Sequence, residues 1–86
     1  MSYTVRIAAA PTKFLEKLRD KSLLRRLLEA MQSLAGNPRP FGCVKLSGEQ
    51  SLYRIRVGDY RIVDQIRDAE LLILVVTIGH RREVYR

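Results

Sequence analysis

The sequence predicts an α+β fold in which a helical hairpin covers one face of a mainly antiparallel, twisted β-sheet. Three observations predict it. Apolar residues recur at helical spacing only between residues 11 and 35. Outside that stretch the chain is rich in β-forming residues and falls into strand-length runs. Two short connections, Gly58-Asp59 and residues 67–70, leave room only for antiparallel neighbours. The order that follows is β-α-α-β-β-β-β, and a chain of 86 residues is expected to hold it as one domain spanning residues 1–86.

Residues 3–9 alternate loosely and read as the first strand. Pro11 and Thr12 open the first helix, since proline is tolerated in a first turn, and Phe14, Leu15 and Leu18 give it a short apolar stripe. Asp20-Lys21-Ser22 breaks that helix and offers Ser22 as an N-cap for the next. Over residues 23–35, Leu24, Leu27, Leu28, Met31, Leu34 and Ala35 share one face, and Arg25, Arg26, Glu29, Gln32 and Ser33 fill the other. Gly36-Asn37-Pro38 ends the helix. Strands are expected at residues 41–46, 52–57, 60–66 and 71–78. Gly58 takes the first central position of a two-residue hairpin turn. Leu71 to Val76 does not alternate, which predicts a strand that is central or covered on both faces.

Sixteen basic residues against nine acidic ones give a formal net charge of +7. Such a surface attracts polyanions. Twelve of the sixteen are arginine, whose planar fork of donors matches phosphate oxygens in two places at once. The single cysteine, Cys43, excludes an internal disulfide, and no Cys/His spacing suits zinc, so no metal and no cofactor is expected. The start of the chain does not read as a signal peptide, and the longest apolar run is strand-sized. A cytoplasmic protein without a membrane partner is expected.

If Gly58-Asp59 is the turn, counting fixes the pairing: Val57 faces Tyr60, Arg56 faces Arg61, Ile55 faces Ile62 and Arg54 faces Val63. Tyr53, Ile55, Val57, Tyr60 and Ile62 then point to the helices, and Arg54, Arg56 and Arg61 point the other way, with Gln65 further along. Two like charges directly opposite cost a few tenths to about 1 kcal/mol. A surface needing only solubility is better served by mixed charges. The last segment adds His80, Arg81, Arg82 and Tyr85. These groups suit RNA cleavage in which the substrate's own 2′-hydroxyl is the nucleophile and the protein orients the phosphate, stabilises its charge and assists proton transfer. Arginine does the stabilising well but is a poor base, and the residues themselves single out no general base.

Lys45-Leu46-x-Gly48, the run from Leu52 through Tyr53-Arg54-Ile55-Arg56-Val57-Gly58-Asp59-Tyr60-Arg61 to Val63, Ile78-Gly79-His80-Arg81 and Val84-Tyr85 together closely resemble the RelE/ParE toxin superfamily, and its RelE-like messenger RNA interferases in particular. The resemblance implies the toxin of a type II toxin–antitoxin system: a ribosome-dependent, metal-independent endoribonuclease that cuts messenger RNA and inhibits translation. It also implies a cognate antitoxin, expected to dock through an acidic segment. By the same resemblance Arg54 and Arg56 orient the substrate and assist 2′-hydroxyl activation. Arg61 holds the scissile phosphate, Arg81 lies near the leaving oxygen, Tyr85 stacks on or orients a base, and His80 shares the acid role. Lys45 and Arg82 join Arg54, Arg56 and Arg61 in holding RNA.

Relatives often carry lysine at the positions of Arg54 and Arg56, and tyrosine at that of Asp64. By the register, Asp64 faces Tyr53 on the helix side, where a buried carboxylate needs a partner. The alternative within the same superfamily is a ParE-like inhibitor of DNA gyrase without nuclease activity; the arginine set and Tyr85 favour the nuclease.

Overall fold

The computed structural model describes residues 2–46, 48 and 51–80. The chain forms β1 (Thr4–Ile7), α1 (Ala9–Lys17), α2 (Lys21–Ser33), β2 (Val44–Lys45), β3 (Leu52–Val57), β4 (Tyr60–Arg67), a single 3-10 turn (Asp68–Glu70) and β5 (Leu72–His80). The strands make a five-stranded sheet in the order β1-β5-β4-β3-β2. β1 runs parallel to β5, and every other neighbouring pair is antiparallel. A parallel pair needs a long return connection, and here both helices and three strands lie between its members. The α+β class expected from the sequence is the one observed.

Element boundaries differ from the sequence expectation where capping overrides periodicity. α1 begins at Ala9, so Pro11 stands third in the helix. The first N–H groups of a helix have no intrahelical acceptor, and a proline there removes no bond. The cap of α2 is Asp20 rather than Ser22, its Oδ1 accepting from the Leu23 N–H at 3.0 Å. α2 ends at Ser33, and Gly36 is not in the left-handed conformation expected of a terminating glycine. The Tyr3 N–H instead donates to the Ala35 carbonyl at 2.8 Å, tying the chain beyond α2 to the start of β1. Leu27, Met31 and Leu34 are buried as expected, but Leu28 is 36% exposed; the buried stripe leans toward Leu23 and Ala30.

The strand expected over residues 41–46 shrinks to Val44–Lys45. Pro40 to Cys43 is spent on a tight turn, in which the Cys43 N–H donates to the Pro40 carbonyl at 3.0 Å and Gly42 takes φ +90°. Only glycine adopts that angle without strain. Cys43 itself is half-buried against the core.

β5 is central, as its composition predicted, lying between β1 and β4. Its failure to alternate has a second cause. Val63 pairs with Thr77 but Asp64 pairs with Val75, so Val76 is an extra residue, a bulge. The bulge resets the two-residue period. Ile73 and Val75 before it and Ile78 after it are therefore all buried with Ile55, Val57, Ile62 and Ile66 under α2.

Candidate nucleic-acid interface

The β3–β4 hairpin has the register that the turn residues predicted. Val57 pairs with Tyr60, Arg56 with Arg61, Ile55 with Ile62, Arg54 with Val63 and Tyr53 with Asp64. Gly58 is at φ +61° while Asp59 stays out of the positive region, the signature of a type II′ turn, whose twist matches that of the strands. Alternation does the rest. Ile55, Val57 and Ile62 are buried beneath the helices, so Arg54, Arg56 and Arg61 share the opposite face. Arg56 and Arg61 are a directly opposed pair with Cα atoms about 4.5 Å apart, and Arg54 is the diagonal neighbour of Arg61.

Each arginine is differently exposed. Arg56 lies in water and Arg54 is half-buried. Arg61 is also half-buried, with its Nε and Nη1 shut off from solvent, and it stands opposite Gly79, which adds no side chain to compete for space. Among the described residues the ion pairs are Arg39 with Asp68 and Arg67 with Glu70, so no carboxylate of theirs neutralises Arg54 or Arg56. Loss of solvent around a guanidinium strengthens its attraction for an anion, since the local dielectric falls.

Two further arginines join this face. Arg67 shares the β4 parity of Arg61, and Arg6 on β1 lies opposite Leu74, which is itself opposite Gln65. Arg67 was legible from parity alone once β4 was extended by one residue. Arg6 needed the parallel β1–β5 register, which has no local sequence signal. Arg67 is partly engaged, donating to Gln65 Oε1 at 2.9 Å and lying 3.7 Å from Glu70.

Two residues expected at the site are placed elsewhere. Lys45 pairs with Tyr53, and Val44 with Arg54, so Lys45 projects to the side of Tyr53 rather than to the arginine face. His80 pairs with Tyr60, and the two rings meet edge to face at 5.6 Å. Tyr60 in turn contacts Phe14 of α1 at 6.0 Å. His80 thus packs on the helix side, because the Val76 bulge shifts the strand's parity beyond it. Arg81, Arg82 and Tyr85 lie outside the described residues.

On the helix side a second polar cluster forms that the sequence only hinted at through Asp64. Arg39 makes a two-point pair with Asp68, at 3.2 and 2.9 Å, and its guanidinium lies 4.8 Å over the ring of Tyr53. Tyr3 donates its hydroxyl to Asp68 Oδ1 at 2.6 Å. These bonds hold the Asp68 carboxyl below its usual range, Arg39 first and Tyr3 second. Asp64 is 1% exposed, and neither carboxylate oxygen has a hydrogen-bond partner. Burial raises its pKa to about 7, against a weaker downward pull from Arg39. Among the described residues no group of three His, Cys, Asp or Glu is placed to hold a metal ion, and no helix is long and apolar enough to cross a membrane.

Comparison with known proteins bears on this arrangement. The sequence profile of the family described as "ParE toxin of type II toxin-antitoxin system, parDE" matches residues 5–85. A RelE-like toxin protein of Escherichia coli is 31% identical, over 94% of this chain and 85% of its own length. The fold is similar to that of the archaeal RelE–RelB complex from Pyrococcus horikoshii OT3, with a TM-score of 0.81, 32% identity, and 94% of this chain and 97% of that chain covered. It is also similar to the toxin–antitoxin complex RelBE2 from Mycobacterium tuberculosis, with a TM-score of 0.79, 25% identity, and 94% of this chain and all of that chain covered.

Proposed function

Because this chain belongs to the ParE toxin family of type II toxin–antitoxin systems, we propose that it is a toxin of the RelE kind, a ribosome-dependent endoribonuclease that cuts messenger RNA and so stops translation. The observation that carries the proposal is the hairpin that presents Arg54, Arg56 and Arg61 together on the sheet face opposite the helices. In the reaction the substrate's 2′-oxygen attacks the adjacent phosphorus and the bond to the 5′-oxygen breaks. A 2′,3′-cyclic phosphate forms, and the 5′-oxygen takes up a proton. Charge grows on the non-bridging oxygens, and a preorganised guanidinium meets it without reorganising water. Arg61 takes that role, being the most enclosed of the three and held by strands on both sides. Arg56 and Arg54 orient the chain and assist the loss of the 2′ proton. Arg81 serves the departing oxygen, Tyr85 orients a base and Arg82 adds a phosphate contact. His80 and Lys45, which face away, are given no part.

The partner of such a toxin is an antitoxin, and a surface of net charge +7 favours one with an acidic docking segment. The Mycobacterium tuberculosis relative is itself half of a toxin–antitoxin complex.

The test is translation in a purified system, with primer extension on the message. New 5′ ends within the reading frame are expected. Arg61→Ala should lower their yield by about 100-fold or more. A message left intact by the wild-type protein, or cut equally by the variant, refutes the proposal. A second reading is favoured by the family profile that matches, which is named for ParE: inhibition of DNA gyrase by the same fold. Trapped gyrase–DNA cleavage complexes with intact messages would select it.

A further inference from the structure

At the β1 end of the sheet, Thr4, Arg6, Glu70 and Leu72 line a cavity of about 300 Å³. The strand registers fix which way it opens. Arg6 pairs with Leu74 and Leu74 with Gln65, while Thr4 pairs with Leu72 and Leu72 with Arg67. Directly opposed residues share a face, so Thr4 and Arg6 stand on the side of the sheet that carries Arg61. Both are exposed, whereas Val5 and Ile7 pack on the core beneath the helices. The rim of the cavity is held by main-chain bonds. The Thr4 N–H donates to the Leu71 carbonyl at 2.8 Å, and the Leu71 N–H to the Asp68 carbonyl at 3.1 Å. Leu71 is at φ +52°, a left-handed conformation that leucine seldom adopts and that persists only where its surroundings over-determine it.

The described strands present five arginines on this face, Arg6, Arg54, Arg56, Arg61 and Arg67, and no carboxylate. Asp64, the one acid within those strands, points to the helices. Glu70 on the cavity rim lies 3.7 Å from Arg67, and Arg6 takes no part in the ion pairs among the described residues. Guarding the edge of β1 against stray pairing needs a charge, but not one that adds to four of the same sign. Arg6 is two strands from β4 and level with Gln65, four residues along from Arg61. With strands about 4.8 Å apart and a rise of about 3.4 Å per residue, the Cα atoms of Arg6 and Arg61 are about 17 Å apart. Neighbouring phosphates of one strand lie much closer than that. Val63, Gln65 and Leu74 occupy the face between the two arginines, so no acidic group interrupts the path.

We infer that Arg6, with the Thr4 hydroxyl beside it, forms a second site for an RNA phosphodiester, separate from the one cut at Arg61. The inference rests on the nuclease reading above. The guanidinium supplies charge and a fork of donors, and the hydroxyl one donor more. Such a contact adds affinity and fixes orientation without reading sequence. On a message, the phosphate belongs to a nucleotide not adjacent to the cut, and the strand crosses the sheet from β4 toward β1. On ribosomal RNA, the same contact forms with no message present.

The experiment uses the full chain and measures binding to labelled, uncleavable 2′-O-methyl oligouridines by fluorescence anisotropy, and to vacant ribosomes by sedimentation. A dinucleotide is too short to reach from Arg61 to Arg6, and an octanucleotide is long enough. Arg6→Gln is expected to weaken octanucleotide binding by about 10-fold, to leave dinucleotide binding unchanged, and to flatten the log–log salt dependence by about 0.7. Arg6→Lys keeps the charge and should restore most of the loss. Glu70→Gln removes the carboxylate on the rim and should tighten octanucleotide binding, a gain that a misfolded chain does not give. Lys13→Gln, an exposed change on α1, should alter neither probe. A loss confined to vacant ribosomes supports the site and assigns its phosphate to ribosomal RNA. Arg6→Gln and Glu70→Gln chains that match the wild type on oligonucleotides and ribosomes alike overturn the site, while Arg61-dependent cutting leaves the nuclease reading intact. A wild-type chain that cuts no message fails the nuclease reading, whatever the oligonucleotides show.

Discussion

Replacing Asp64 by asparagine should make the protein less sensitive to rising pH. The carboxyl group is 1% exposed and neither oxygen has a hydrogen-bond partner, so the folded state favours its protonated form. Its pKa is raised from 3.8 to about 7, burial being the main cause and Arg39 a weaker opposing one. Arg39 makes its two-point pair with Asp68 and donates no hydrogen bond to Asp64, so it offsets the burial only weakly. An acid whose folded pKa lies above its unfolded value stabilises the protein fully below the unfolded pKa, near 3.8, and loses that contribution as pH rises toward 7. About three units of separation at 1.36 kcal/mol each amount to about 4 kcal/mol across that window. That is a large share of the stability of a domain this small. An asparagine side chain cannot ionise, so the Asp64→Asn protein should lack this decline. Asp68, whose pKa is lowered, acts in the opposite sense at the acid end, but it is present in both proteins and cancels in their difference.

Urea unfolding of both proteins at intervals from pH 4 to pH 8 measures the difference directly. The asparagine variant is expected to match or fall below the wild type at pH 4 and to exceed it by pH 8. The carboxyl carbon-13 shift of Asp64 should titrate near neutrality. Parallel stability curves, or a titration midpoint near 4, would refute the reasoning.

Other perturbations test other parts of the fold. Gly58→Ala puts a Cβ at a φ of +61° and 3.1 Å from Arg26 Nη2, so a loss of about 1–2 kcal/mol is expected in chemical denaturation. Leu27→Ala empties a fully buried position under the sheet and should cost about 2–5 kcal/mol in the same assay. Asp20→Ala removes the cap of α2 and should cost about 1 kcal/mol, with Asp20→Asn nearly neutral. Asp68→Ala breaks an exposed pair, so its effect should stay below about 1 kcal/mol and shrink in high salt.

The sequence by itself determined the α+β class, the helical hairpin and the β3–β4 register, because each rests on local rules. Helical spacing marks a face, and a Gly-Asp turn of two residues fixes which strand residues oppose each other. Arg54, Arg56 and Arg61 are therefore legible as one surface from these local rules alone. Only the tertiary structure decided what the distant pairings do. Counting straight along β5 from Ile73 puts His80 on the arginine face. One extra residue at Val76 puts it against Tyr60 instead, and no local pattern announces that bulge. The side that Lys45 takes likewise depends on its pairing with Tyr53 across a loop. Arg6 joins the face through a parallel partner more than sixty residues away in the chain. Side-chain parity propagates faithfully along one strand, but an insertion or a long-range pairing resets it, and those are properties of the assembled sheet.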